Sequence, residues 1–386
     1  MKRFVVLDSF RGLCAVAVVL FHTYVVQSIA ELEFFKNAFL FVEFFFILSG
    51  FVLFHTYGQR LNNATDYKNF FISRTARLYP LHLTMLGVYL ALELGRSLAE
   101  KKGFSFNEPA FSGATSMHEF LPNLLLLQSW LNSAMTGSFN YPAWSISIEY
   151  YLYLIFGVMA VLARTSKVKV FAMVSLAAFI TLWNGESWLK LEIFRGVSCF
   201  FAGACLYVLY DRIKDLDLDA VDFNLLEIAL VLGSYRLLVS DIDHKGVYAS
   251  LLFCVLILVF SLERGVVSRL LHHRFFVWLG ALSFSIYLTH AAILFVFKSA
   301  VIVLSKVLHT DLTETLQGHD MPNMVKYIST HSVWLDNGIV VLQLAAVLLV
   351  STLTYKYVEM PGVQLGKRLT RRKGSTPGPN LQGAAQ

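Results

Sequence analysis

Long apolar stretches recur along the whole chain and are separated mostly by short polar segments. A stretch of about 18 or more apolar residues is long enough to cross a bilayer as a helix. The pattern therefore predicts an all-α polytopic membrane protein, a bundle of about ten transmembrane helices. A shorter apolar stretch at 120–131 predicts an interfacial or re-entrant segment. The ten predicted spans are residues 9–30, 37–56, 78–96, 144–163, 168–185, 193–210, 223–240, 246–262, 278–304 and 338–357.

The composition supports a membrane-embedded chain. Of its 386 residues, 56% are hydrophobic and only 15% are charged, and the mean hydropathy is +0.59, whereas charged residues make up about 25% of soluble domains. We expect one integral-membrane domain at 1–368 and a basic, then disordered, tail at 369–386. The first apolar run is long enough to span and lacks a small-residue cleavage pattern, so no secretory signal is expected.

The positive charges lie mainly in loops, where a bilayer explains them better than nucleic acid does. If both termini are cytoplasmic, 21 of the 32 lysines and arginines fall in inside segments and 8 in outside loops. This excess of positive charge predicts cytoplasmic termini. The four cysteines lie inside apolar runs, without a CxxC pair or metal-ligand spacing, so we predict core residues and no metal site.

Arg11 and His22 stand at the ends of an uncharged part of the run FRGLCAVAVVLFH. Eleven positions are about three helical turns, so both residues share a helix face, with a rise of about 16 Å between them. We expect Arg11 near one surface and His22 buried near mid-depth, with Asp8 capping the helix and pairing with Arg11. Because a buried ionisable group needs a partner or a wet cavity, His22 is a candidate functional residue. The alternative is a histidine that only hydrogen-bonds between helices.

A buried acid and a pair of small residues follow in VEFFFILSGFVLF, residues 42–54. Glu43 lies beside aromatic residues, and Ser49 with Gly50 favours close approach of another helix. Glu43 and Ser49 are candidate supporting residues of a site. Packing alone is the alternative for Ser49.

Arg74 and Arg77 lie one turn apart in FISRTARLYPLH, just before the third predicted span. Two guanidinium groups so close could bind a phosphate bidentately. The alternative is a positive cluster that only sets the topology. Glu359, near the end of the last span in YKYVEMPG, is interpreted as mainly structural.

Two further spans carry polar stripes. Ser145 and Glu149 are at i and i+4 in YPAWSISIEYYLYL, so they share one helix face. Ser283, Tyr287 and His290 follow an i, i+4, i+7 pattern in LGALSFSIYLTHAAI, on an otherwise apolar helix. We take Glu149 as a candidate catalytic residue and Ser145, Tyr287 and His290 as supporting residues.

The order of these motifs, with LDSFRGLCAVAVVLFH first and YVEMPG last, resembles acyltransferase family 3, the bacterial membrane O-acyltransferases. The resemblance implies a ten-helix inner-membrane protein that transfers an acyl group, usually acetyl, to a hydroxyl of a glycan or similar acceptor. By position, Arg11 and His22 match the family's paired motif, Arg74 and Arg77 its cytoplasmic arginine pair, and Glu149 its buried acid. Some members carry a C-terminal hydrolase-like domain, which we expect this chain to lack.

This resemblance leads to a hypothesis for the chemistry. Acetyl-CoA, or another acyl-CoA, is the expected donor substrate, with its phosphates held by Arg74 and Arg77 and no tightly bound cofactor. His22 is expected to act as general base or to receive the acyl group first. Arg11 lies along the donor's path, and Glu149 orients the imidazole or the acceptor. The acceptor, a cell-surface glycan or lipid-linked saccharide, stays open.

Two other classes of protein remain compatible with the sequence. A transporter or exporter of a glycan or lipid also has many spans with buried ionisable residues, although no internal repeat typical of many transporters is found. In a scaffold or sensor subunit, Arg11 and His22 would only pack. The sequence leaves the oligomeric state open.

Overall fold

The computed structural model describes residues 2–103, 109–318 and 324–370 and is about 75% helical. A two-stranded antiparallel sheet, β1 (Thr313–Gln317) with β2 (Met324–Ile328), is its only ladder in the described part of the chain. Residues 371–386, which hold most of the predicted tail, lie outside the described residues. The α-helices are α1 (Val5–Phe21), α2 (Glu33–Lys36), α3 (Phe41–Tyr57), α4 (Ala64–Lys101), α5 (Phe120–Leu124), α6 (Ala143–Ala163), α7 (Lys167–Asn184), α8 (Leu191–Ile213), α9 (Phe223–Leu238), α10 (Lys245–Leu262), α11 (Val266–Leu271), α12 (Arg274–Leu308), α13 (Val333–Thr354) and α14 (Met360–Leu369).

Each of the ten predicted spans overlaps one α-helix. Within the described residues, eight helical segments are long and apolar enough to cross a membrane, and α1 and α9 are shorter, with 17 and 16 residues. The chain is an all-α membrane protein apart from the small sheet, which the apolar pattern did not predict.

Two predicted boundaries are wrong in ways that matter for the site. The span 9–30 ends as a helix at Phe21, and His22 is the C-cap of α1 rather than a residue in mid-helix. Beyond it the backbone bonds to β2 instead, where Val26 N–H donates to the Ile328 carbonyl at 2.9 Å. The span 78–96 is part of the longer α4, which begins after the Asn63 cap, so the two arginines before that span are helical.

The segment 120–131 folds as a short helix and irregular backbone packed against α6. The hydroxyl of Ser147 donates to the Leu126 carbonyl at 2.5 Å, and Trp130 Nε1 donates to the Ser147 carbonyl at 3.1 Å. The Tyr151 hydroxyl donates to the Leu125 carbonyl at 3.0 Å. These bonds satisfy irregular backbone beside the N-terminal half of α6, and the interfacial or re-entrant placement of the segment stays a prediction.

Two helix pairs touch backbone to backbone through glycines. On α12, a Cβ at Gly280 would lie 2.3 Å from the Asp8 carbonyl oxygen, and on α1, a Cβ at Gly12 would lie 2.5 Å from the Leu279 carbonyl carbon. On α8, a Cβ at Gly203 would lie 1.9 Å from the Ile47 carbonyl oxygen of α3. Small residues let membrane helices approach this closely. The first pair sets α1 against α12, the two helices that carry the candidate histidines.

Gly203→Ala is expected to lower stability by about 3 kcal/mol or more, because the added methyl group would overlap backbone that has no rotamer to change. The measurement is the thermal midpoint of the detergent-solubilised protein. Gly233→Ala in α9 is the matched control, since a Cβ there meets no atom within 4 Å; it should be neutral or slightly stabilising. Equal midpoints for the two variants would contradict the close α3–α8 contact.

Candidate functional site

Three cavities follow one another through the bundle. The first has a volume of about 570 Å³ and is called the basic cavity; its basic residues are Arg3, Arg11, Arg74, Arg77 and Lys367. The second, of about 40 Å³, is called the neck; its polar residues are Arg11, Ser49, Ser145, Glu149, Ser283 and Tyr287. The third, of about 450 Å³, is called the histidine cavity; its polar and aromatic residues are Phe21, His22, Phe39, Thr136, Tyr141, Trp144, Glu192, Arg195 and Tyr287.

Neighbouring cavities share wall residues. Arg11, Ser49 and Ser283 line both the basic cavity and the neck. Val42 and Tyr287 line both the neck and the histidine cavity. The predicted arginine pair and the predicted histidine therefore lie at opposite ends of one series of cavities, with the polar stripes of α6 and α12 between them.

Arg74 is held in the basic cavity by two tyrosine rings. Its guanidinium carbon lies 5.3 Å from the ring centroid of Tyr57 and 5.9 Å from that of Tyr153, and its Nη2 donates to the Tyr57 hydroxyl at 3.3 Å. Its buried Nε has no hydrogen-bond partner among the described residues. A guanidinium that is oriented by aromatic rings and keeps an unused donor is suited to an anionic ligand.

Arg77 is held by an acid that the sequence reasoning treated as mainly structural. Arg77 Nη2 lies 3.9 Å from Oε1 of Glu359, whose other oxygen accepts a hydrogen bond from Ser285 at 2.9 Å. Glu359 is 2% exposed and ends a π-helical turn, Tyr355–Glu359, that lines the same cavity. Such turns often mark functional sites. The acidic residue before a proline was the only sequence signal for it.

Asp8 is inside α1 rather than at its cap, which corrects the predicted capping role. The N-cap is Phe4, without a side-chain hydrogen bond. Asp8 Oδ2 pairs with Arg3 Nε at 3.0 Å, and its Oδ1 lies 4.0 Å from Arg11 Nη1. The predicted contact between Asp8 and Arg11 is confirmed, and it directs Arg11 along the wall shared by the basic cavity and the neck.

The neck is a hydrogen-bonded polar constriction. Glu149 Oε1 accepts hydrogen bonds from the hydroxyls of Ser49 and Tyr153. The hydroxyls of Ser145 and Tyr287 lie 2.8 Å apart, which joins the α6 stripe to the α12 stripe. Glu149 therefore bonds to residues that line the basic cavity, and another residue is the partner of the His22 imidazole. That Glu149 orients the imidazole or the acceptor stays a prediction.

That partner is His290. Its Nε2 lies 3.1 Å from Nδ1 of His22, and the two rings have centroids 5.1 Å apart. His22 Nδ1 is also 3.1 Å from the Val18 carbonyl oxygen, and His290 Nδ1 is 3.1 Å from the Ile286 carbonyl oxygen. Since a carbonyl only accepts, the network assigns the proton of each neutral ring to Nδ1. His22 then presents the lone pair of its Nε2.

Glu43 holds Arg195, a residue that the sequence did not indicate as part of the site. It is 2% exposed, and its Oε1 accepts a hydrogen bond from Nε of Arg195 at 2.7 Å. The Arg195 guanidinium carbon lies 5.4 Å from the ring centroid of Trp144, and both residues line the histidine cavity. An arginine within an apolar span was the available signal, because such a residue needs a buried partner.

The helix bundle holds arginines in one cavity and a histidine pair at another, with a polar neck between the two cavities. These are the parts of a membrane-embedded group-transfer enzyme. The family model described as "Acyltransferase domain", acyltransferase family 3, matches residues 4–356. The chain belongs to this family.

Three relatives show how far this likeness extends. The chain is 34% identical to "Acyltransferase MdmB" of Streptomyces mycarofaciens over 132 residues, 33% of this chain and 30% of that protein. It is 40% identical to "Protein 2 in picA locus" of Rhizobium radiobacter over 91 residues, 23% of this chain and 46% of that protein. It is 25% identical to "Putative acetyltransferase ORF330" of Acidianus two-tailed virus over 296 residues, 72% of this chain and 80% of that protein.

The matches to the first two relatives thus span less than half of each relative's length. No solved structure matches this chain.

Proposed function

We propose that this acyltransferase moves an acetyl group from acetyl-CoA in the basic cavity to a saccharide hydroxyl in the histidine cavity. The observation that carries the proposal is the series of cavities with shared walls between Arg74 and Arg77 at one end and His22 at the other. The 21-to-8 distribution of positive charge favours an orientation with the basic cavity on the cytoplasmic side, and we place the protein in the bacterial inner membrane by its family. Donor and acceptor then enter from opposite faces.

The basic cavity suits the donor because coenzyme A carries several phosphate charges. Arg74 and Arg77 are fixed by tyrosine rings and by Glu359, so they present oriented donors to phosphate oxygens. Arg11 continues the positive wall toward the neck. The thioester arm is neutral and passes between the polar groups of Ser49, Ser145 and Ser283.

The volume of the neck favours a short acyl group. About 40 Å³ is the space of a few water molecules, which suits an acetyl group better than a long acyl chain. Tyr287 lines the neck and the histidine cavity, where it can donate a hydrogen bond to the thioester oxygen as negative charge develops there.

In the transfer step, the oxygen of the acceptor hydroxyl attacks the thioester carbonyl carbon while Nε2 of His22 takes the proton of that hydroxyl. The carbon–sulfur bond then breaks, the new carbon–oxygen bond remains in the ester, and the leaving thiolate of the coenzyme takes up the proton held by His22. His290 accepts from Nδ1–H of His22, which keeps Nε2 available and holds the ring in place.

The direct test uses purified protein in vesicles with acetyl-labelled acetyl-CoA and a panel of saccharides. The proposal expects a labelled ester on one saccharide, and slower transfer as the acyl chain is lengthened. Movement of a saccharide without ester formation would instead support a transporter.

Arg74→Gln is expected to raise the KM for acetyl-CoA roughly ten- to hundred-fold, because it removes charged hydrogen bonds worth about 1.5–3 kcal/mol. Steady-state kinetics at saturating acceptor measure the effect. Arg60→Gln is the matched control, because Arg60 is exposed and does not line the basic cavity. A KM in the Arg74 variant equal to that of the Arg60 variant would place the donor phosphates elsewhere.

A further inference from the structure

A fourth cavity lies beside the histidine cavity and is called the side pocket. Its volume is about 230 Å³, and it shares His22 and Tyr141 with the histidine cavity. Most of its remaining wall is apolar, from Leu294 and Phe295 of α12 and Ile328 of β2. A ligand in the side pocket would therefore reach the same imidazole as the acceptor does.

The mouth of the side pocket carries a cation within a transmembrane helix. Lys298 lies eight residues beyond His290 on α12, about 12 Å along the helix. Its Nζ is 5.8 Å from the ring centroid of Tyr24, and Lys298 lines the side pocket. Among the described residues, no ion pair joins Lys298 to a carboxylate. An ammonium group in a membrane-spanning segment, without a carboxylate partner among the described residues, is suited to an anionic ligand.

The surroundings of Lys298 suit an amphipathic ligand. On the same helix, Phe295 is 44% exposed and Val296 is 49% exposed, so an apolar surface leads along α12 to the pocket. Inside, Gln343 is 3% exposed, and its Oε1 has no hydrogen-bond partner among the described residues. The side pocket therefore combines an exposed apolar side chain, one cation and an unpaired amide oxygen with the wall that carries the imidazole.

We propose that the side pocket binds a lipid-anchored acceptor, in which a phosphate joins the hydrocarbon chain to the saccharide. Lys298 pairs with the phosphate oxygens, the hydrocarbon chain lies along Phe295, and the saccharide extends past His22 into the histidine cavity. The assignment of the saccharide rests on the proposed function, whereas binding of the lipid phosphate does not. A soluble phosphate shares the charge but lacks the chain, so it would gain nothing from the apolar surface.

Native mass spectrometry of the detergent-solubilised protein with polyprenyl phosphate tests the site directly. The wild-type protein should retain polyprenyl phosphate, and Lys298→Gln should weaken retention at least about tenfold, the loss of one charge-assisted contact. Lys306→Gln, on the same helix but exposed and outside the pocket, is the matched control and should bind as the wild type does. Polyprenol, without the phosphate, should bind equally weakly to all three proteins.

Three results would overturn the lipid-phosphate site. They are equal retention by the Lys298 and Lys306 variants, equal retention of polyprenol and polyprenyl phosphate, and displacement of the lipid by an equal concentration of inorganic phosphate. Failure of the proposed function has a different signature, which is the absence of labelled ester in vesicles although Lys298-dependent lipid binding is intact.

Discussion

His22→Ala is expected to lower acyl transfer by about 10²–10⁴-fold, the usual contribution of a positioned general base. His22 is the one described imidazole that lines both the histidine cavity and the side pocket, and its partners orient Nε2 as the proton acceptor. Transfer of labelled acetyl to the acceptor, divided by the amount of folded protein in the membrane, measures the effect. Binding of the donor should not change, because the arginines lie at the other end of the series of cavities.

The controls separate catalysis from packing. His118→Ala removes an imidazole that is 73% exposed and lines none of the four cavities, and it should leave transfer unchanged. His290→Ala should cost less than His22→Ala, because the Val18 carbonyl still accepts from Nδ1 of His22. Full activity of the His22 variant, or equal losses of activity and of folded protein, would remove the general base from the mechanism.

Ser283→Leu is expected to reduce transfer about 100-fold or more while the affinity for acetyl-CoA remains close to that of the wild type. Ser283 is 4% exposed and lines both the basic cavity and the neck, so a leucine there fills the narrow passage between donor and base. Displacement of a reacting group by about 1 Å can cost two orders of magnitude in rate. Donor binding by isothermal calorimetry and transfer by label incorporation are the two measurements.

Ser283→Ala is the matched variant, because it removes the hydroxyl without adding volume and should keep most of the activity. The larger side chain also costs about 1–3 kcal/mol of packing strain, so the thermal midpoint of both variants must be recorded. Undiminished transfer in a folded Ser283→Leu protein would show that the acyl group does not pass through the neck.

Much of the fold could be predicted because bilayer crossing is a property of local composition. Each of the ten predicted runs overlaps a helix, and eight of the helical segments described are long and apolar enough to cross a membrane, since an apolar helix satisfies its own backbone whatever it packs against. The errors in the predicted helix boundaries lie where contacts with residues distant in the sequence determine the backbone conformation. Val25 and Val26 are apolar enough to extend α1, yet their backbone pairs with Ile328, about 300 residues away.

For the candidate site too, the sequence predicted which residues are neighbours on one helix but not which residues meet between helices. Helical spacing correctly placed Ser145 on one face with Glu149, and Ser283 on one face with Tyr287, because periodicity fixes neighbours on one helix. Helical spacing could not predict which helices pack against each other. The contacts of His22 with His290 and of Glu43 with Arg195 join residues more than 150 positions apart, and only the packed bundle reveals them.

The glycine contacts between α1 and α12 restrict how a catalytic cycle can proceed. Gly12 and Gly280 bring the two backbones together with no space to slide, so these helices form a rigid unit that keeps both imidazoles in register. Any widening that the proposed donor requires must then come from other walls of the basic cavity. Those walls include the parts of α4, the π-helical turn and α14 that line the basic cavity.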